Sequence, residues 1–197
     1  MGGPVADLHR IGVKLFAAAG GALAPREVVP IFHRWIQTGA VDNQLLIDVA
    51  DYSHVPNGPG ILLVAHQGNF SLDFADGRAG LTYICKQPDA GELGARLRGV
   101  ARTALTACRL LEDDPAVGGR LRFRGEQLTV LANDRLRAPN TAAAREALRP
   151  ALDGLLRALY GSTDCQVTAE TDPRERLQLR VTAPQPVSVR ELAERLA

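Results

Sequence analysis

Leu45-Leu46-Ile47-Asp48-Val49-Ala50-Asp51-Tyr52 is followed by Ser53-His54-Val55-Pro56-Asn57-Gly58-Pro59-Gly60, and then by Ile61-Leu62-Leu63-Val64-Ala65-His66-Gln67. Two apolar runs flank a segment dense in proline and glycine, which is the pattern of two strands joined by a long hairpin loop. Ile61 to Ala65 is apolar throughout and does not alternate, so it predicts a central strand covered on both faces.

Upstream, Ile11, Val13 and Leu15 alternate with Arg10, Gly12 and Lys14, a period of two that predicts a strand within 9–17. Gly20-Gly21 should break the chain there. Val28, Ile31, Phe32, Trp35 and Ile36 form one stripe at helical spacing, predicting a helix over 26–37 that starts near Pro25. Pro30 suits such a helix only within its first turn. Downstream, the pattern gives a strand over 81–86, a long helix over 92–112, and two short strands over 120–124 and 128–132. A third helix runs from an Asn140 or Thr141 cap to Tyr160, with a kink expected at Pro150. A hairpin over 165–183 turns at Thr171-Asp172-Pro173-Arg174, and Ser188-Val189-Arg190-Glu191 opens a last short helix with a capping-box pattern. The expected fold is α+β, with helices packed on a largely antiparallel sheet. Helix–hairpin units recur in it without any sequence repeat. One domain over 1–197 is expected, with 1–7 a loose end.

The 197 residues are 46% hydrophobic and 23% charged, with a net charge of +1. A chain of that length buries enough surface to fold without metal or disulfide staples. Near-neutral charge gives no field to gather nucleic acid or an anionic membrane, so neither is expected as a partner. The longest apolar stretch, Leu15 to Ala24, falls short of the roughly 20 residues that span a bilayer. Cys85, Cys108 and Cys165 are too few and too scattered for a disulfide framework or a metal knuckle. The expectation is reduced thiols in a cytoplasmic protein.

Chemistry concentrates at the ends of the first hairpin. Asp48, Asp51, His54 and His66 are the candidate catalytic residues, since a carboxylate beside an imidazole can fix its tautomer and tune its basicity. Two acids and two histidines could also ligate a divalent metal. Against both, Asp48 and Asp51 have opposite parity and point to opposite faces of a regular strand. Gln67, Asn69 and Asp73, just beyond His66, are the candidate ligand-binding residues. Gly58-Pro59-Gly60 reads either as a tight turn or as a backbone cradle for an anion, but it precedes a strand where phosphate loops precede a helix. Arg120, Arg122 and Arg124 would share one strand face, either solvated or touching phosphates. Cys85 beside Lys86 reads as a buried strand thiol or an activated one.

Phe32-His33-Arg34-Trp35-Ile36-Gln37, the segment from Leu46 to Gly60, and Ala132-Asn133-Asp134-Arg135-Leu136 with Pro139-Asn140-Thr141 resemble a group of uncharacterised bacterial proteins of similar length. The resemblance covers most of the chain. It implies a bacterial cytosolic domain and brings no activity or catalytic residues with it. With no specific catalytic motif present, the sequence points to a non-enzymatic binding or adaptor protein without cofactor or metal. Its expected partner is a second copy, another protein or a small-molecule ligand. The alternative is a hydrolase or isomerase using the Asp/His residues of the 45–67 hairpin, with or without a divalent metal.

Overall fold

The computed structural model describes residues 4–19, 23–56, 58–74, 78–87 and 90–197; Gly20-Gly21 and residues 1–3 lie outside them. Eight strands form one sheet: β1 (Ile11–Ala17), β2 (Leu46–Tyr52), β3 (Gly60–Ala65), β4 (Gly68–Asp73), β5 (Gly80–Cys85), β6 (Phe123–Ala132), β7 (Gln166–Ala169) and β8 (Gln178–Thr182). Their order is β2-β3-β4-β5-β1-β6-β8-β7, and every neighbouring pair is antiparallel. The fold is α+β. Four α-helices, α1 (Pro25–Thr38), α2 (Leu93–Asp113), α3 (Ala142–Tyr160) and α4 (Val189–Arg195), and a 3-10 turn over Pro4–Asp7 complete the described elements.

The helices gather on one face of the sheet. α1 lies on β2 and β3, α2 on β1 and β5, α4 on β6, and α3 packs outside α2. Ile11, Val13 and Leu15 of β1 join Leu81 and Tyr83, Phe70 and Leu72, Ile61 and Leu63, and Leu128 and Val130 in one core with the helical stripes Val28/Phe32/Trp35, Leu97/Ala101/Leu105 and Leu148/Leu152/Leu155. The alternation read in β1 is therefore the division between this core and the opposite face. Local signals set the helix ends. Glu27 accepts from the Ala24 N–H at the start of α1 (2.8 Å), and Thr141 Oγ1 accepts from Ala144 N–H at the start of α3 (3.2 Å). Ser188 Oγ caps α4 through Glu191 N–H (3.1 Å).

Several elements differ from the sequence reading. β4 pairs between β3 and β5, a strand the sequence did not announce because Gly68-Asn69-Phe70-Ser71-Leu72-Asp73 mixes turn residues with apolar ones. The strand read through Gln67 ends at Ala65, and His66-Gln67 is the turn into β4. Residues 123–132 form one strand; 120–122 precede it, and the β1–β6 register slips between Leu15–Leu128 and Phe16–Arg124. Pro30 stands in the second turn of α1, exposed on the side where solvent can reach the carbonyl its missing N–H leaves. Residues 4–7, expected to be loose, form a 3-10 turn with Val5 buried, and the Arg96 guanidinium of α2 donates to the carbonyls of Ala6 and Leu8.

Candidate functional site

The face of the sheet turned away from the helices is not a plain solvated surface. The registers place Ser71 opposite Thr82, Thr82 opposite Lys14, Lys14 opposite Thr129, Thr129 opposite Arg180, and Arg180 opposite Thr168. A row of polar side chains thus crosses six strands, with neighbouring backbones about 5 Å apart. Ordinarily such a row would be wet. Here Lys14, Ser71, Asp73, Thr82 and Thr129 retain only 7, 8, 7, 5 and 3% exposure.

These side chains line a trough of about 870 Å³. It runs along β1. Phe16, Asp73 and the Gly58-Pro59 turn stand at one end; Ile84, Leu131, Glu170, Glu175 and Arg176 stand at the other. Residues from near both edges of the strand order border one space, so the bare face is concave. Gly12 keeps the second end open to packing: a Cβ there would sit 2.6 Å from Leu131 Cδ1 and 2.9 Å from Ile84 Cγ1, which meet over it.

Lys14 is held at the centre. Its Nζ donates to Asp73 Oδ1 at 2.5 Å, and Thr82 Oγ1 donates to Asp73 Oδ2 at 3.0 Å. Gly80 makes room for the lysine stem, since a Cβ there would lie 2.6 Å from Lys14 Cε and 2.7 Å from the Leu15 carbonyl. The Arg78 guanidinium lies 4.2 Å from the Phe16 ring centroid and donates to Gln127 Oε1 at 2.6 Å. Two polar atoms on this face have no partner among the described residues, Thr129 Oγ1 and, one row along, Asn69 Oδ1. Buried polar atoms in native proteins are almost always hydrogen-bonded, so each exception needs a reason.

The Asp/His constellation of the first hairpin does not assemble. Asp48 stands opposite Val64 rather than beside His66, and its carboxylate accepts from the next N–H, Val49, at 2.8 Å. Asp51 accepts from Ser53 N–H at 2.8 Å; hydrogen bonds from Ser53, with the nearby His54 charge a smaller contribution, hold its carboxyl below the ordinary value. His54 and His66 are exposed. Each acid therefore has a local partner, and the residues lie along an exposed edge strand and its turns. Among the described residues no three His, Cys, Asp or Glu side chains come together as a metal site.

Of the ligand-binding candidates, Asp73 lines the trough and Asn69 shares its face. Gln67 does not, because its Oε1 accepts from Leu45 N–H at 2.8 Å at the β2 edge. Gly58 and Pro59 border the trough, while Gly60 has φ +64° and approaches the Leu72 carbonyl so closely that only glycine fits. The arginine triplet disperses: Arg120 pairs with Glu27, Arg122 with Glu112 and Arg124 with Glu126, so it forms no shared face. Cys85 is tied into structure, its Sγ–H donating to the His9 carbonyl at 2.7 Å. Lys14, Ser71, Thr82, Thr129 and Arg180 were missed from sequence. The one available signal was Lys14, one of only two lysines in the chain, placed inside an alternating strand.

No known protein family, curated protein or solved structure matches the chain. No helix among the described residues is long and apolar enough to cross a membrane.

Proposed function

We propose that this protein is a binding protein rather than an enzyme, and that it holds a small polar molecule in the trough on the bare face of its sheet. The supporting observation is the Thr129 hydroxyl, buried in the trough wall without a partner among the described residues. Burying a hydroxyl unsatisfied costs roughly 1–3 kcal/mol. A fold that retains it, with Ser71, Thr82, Lys14 and Asp73 beside it, has convergent polar groups to offer a guest. The trough has the size and the concave form of small-molecule sites. The carboxylates of Asp48 and Asp51, by contrast, are engaged by the backbone N–H groups of Val49 and Ser53.

A thermal-shift screen of small polar metabolites tests the proposal, run in parallel on the wild type and on the double substitution Lys14→Met/Asp73→Leu. The double variant removes the charge and polarity of the pair, and the larger leucine side chain has the trough to extend into. Compounds that raise the melting temperature of the wild type and not of the double variant are expected. Hits that stabilise both equally would place the ligand elsewhere and overturn the proposal.

A further inference from the structure

From Trp35 to Gly77 the chain has no lysine or arginine, and its acidic residues there are Asp42, Asp48, Asp51, Asp73 and Asp76. β2 lies within that stretch and ends the sheet: β3 pairs along one side of it and no described strand along the other. Of the six large hydrophobic side chains exposed among the described residues, four lie in or beside β2: Leu45 (63%), Ile47 (54%), Tyr52 and Val55. The strand at the opposite end, β7, has four residues and none of these side chains. Backbone groups and apolar side chains left bare together are what a sheet edge offers an added strand.

The acids decide which strand. The Val49 N–H donates to the Asp48 carboxylate, 2.8 Å away. Along an antiparallel strand alternate residues turn their N–H and C=O groups outward, and an N–H taken up by a neighbouring side chain is one that β3 does not use. Asp48 thus blocks an outward N–H that an incoming strand would need. A strand with lysine or arginine opposite Asp48 draws the carboxylate onto the cation and frees that N–H; an uncharged strand breaks the bond with nothing to replace it. A second copy suits the edge badly, because antiparallel pairing about the middle of β2 sets Asp48 against Asp51 twice. The bases of α1, which packs on β2, do not neutralise the edge: Arg34 pairs with Asp114 at 2.5 Å, and Arg26 acts on Glu27.

We propose that the β2 edge is a docking site for an extended, basic peptide segment of another protein, which adds to the sheet as a further strand. Asp48 to Asp51 pair without a break in register, so these two acids stand on opposite faces of the strand and about 10 Å apart along it. The matching segment therefore carries two lysines or arginines three residues apart, with an apolar residue beside Ile47.

Two-dimensional amide NMR of the full chain, titrated with two acetylated and amidated octapeptides, tests this. One is rich in valine and threonine with two lysines three residues apart; the other carries glutamate in place of both lysines. The lysine peptide is expected to shift the amides of Leu46 to Tyr52, that of Val49 most, and to leave Val167 and Thr168 of β7 unmoved. The glutamate peptide should bind about tenfold more weakly or worse, since attraction across the pair becomes repulsion. Asp48→Lys/Asp51→Lys keeps the edge charged against self-association and should reverse the preference. Equal binding of the two peptides, shifts centred away from β2, a preference that survives the charge reversal, or no shift with the lysine peptide would each overturn the proposal. A wild type that is dimeric by light scattering, with β2 amides that shift on dilution, would assign the edge to a second copy and overturn it as well.

Discussion

Removing one member of the Lys14–Asp73 pair should be far more damaging than removing both. The two side chains are each 9% exposed and 2.5 Å apart. At an effective dielectric constant of about 20 the Coulomb attraction at that distance is roughly 7 kcal/mol. Withdrawing two ions from water costs several kcal/mol each, so the net contribution of the intact pair lies near zero. Asp73→Ala removes the attraction and leaves the desolvated ammonium in place, and it also takes away the acceptor of Thr82 Oγ1. The expected loss is about 3–5 kcal/mol, a large fraction of the roughly 5–15 kcal/mol that holds a domain folded. Lys14→Met should cost a similar amount, because it separates the Asp73 carboxylate from its counter-charge. The double substitution Lys14→Met/Asp73→Leu should recover most of that loss and end about 1–3 kcal/mol below the wild type, the remainder being the Thr82 hydroxyl left without its acceptor. Urea unfolding of the four proteins, followed by far-UV circular dichroism, gives the cycle directly, and the coupling between the sites should exceed about 3 kcal/mol. Single substitutions that cost less than about 1 kcal/mol and add without coupling would refute the reasoning, because they would mean that water screens the pair and the trough floor is not dry.

Three further outcomes are expected. Thr129→Val replaces a buried hydroxyl that has no partner among the described residues by a methyl of the same shape and should raise the urea midpoint by the equivalent of about 1 kcal/mol; a loss would show that the hydroxyl is satisfied. Burial, more than any neighbouring charge, raises the Glu112 carboxyl above its ordinary 4.5, so the folded state binds more protons than the unfolded state and stability falls as pH rises through that value and above it. Glu112→Gln keeps an acceptor for the Phe123 N–H and cannot ionise; melting curves should show it gaining on the wild type between pH 4 and pH 7, and parallel curves would contradict the assignment. On the β2 edge, an antiparallel second copy centred between Val49 and Ala50 would set Asp48 against its Asp51, so Asp48→Thr/Asp51→Thr should associate by light scattering at concentrations where the wild type does not.

The fold was legible where a local rule acts alone. The stripe of α1, the Thr141 and Ser188 caps and the alternation of β1 all lie within a dozen residues, and each stands where the sequence reading put it. The misread segments depend on distant partners. Gly68 to Asp73 is a strand because β3 and β5 offer edges on both sides, and no property of those six residues alone demands it. Residues 125–127 continue β6 because β8 pairs with Gln127 while β1 has already slipped register. Strand order is equally non-local: β1, first in the chain, inserts between β5 and β6.

The candidate site was hidden for a related reason. Lys14, Ser71, Thr82, Thr129 and Arg180 are the polar half of alternating strands, and alternation alone says only that they face away from the core. A solvated outer face and a recessed one have the same pattern in sequence. Concavity distinguishes them, and it arises from the bend of the whole sheet with the Gly58-Pro59 turn and the 170–176 segment bordering the space. The visible residues misled for the complementary reason. Asp48, Asp51, His54 and His66 are close in sequence and chemically suggestive, yet an edge strand with its turns spreads them along an exposed rim, where backbone N–H groups occupy the two acids. Proximity in sequence implied a site where the fold makes a border. The row that the fold draws together spans Lys14 to Arg180, and only the pairing of six strands brings it into line.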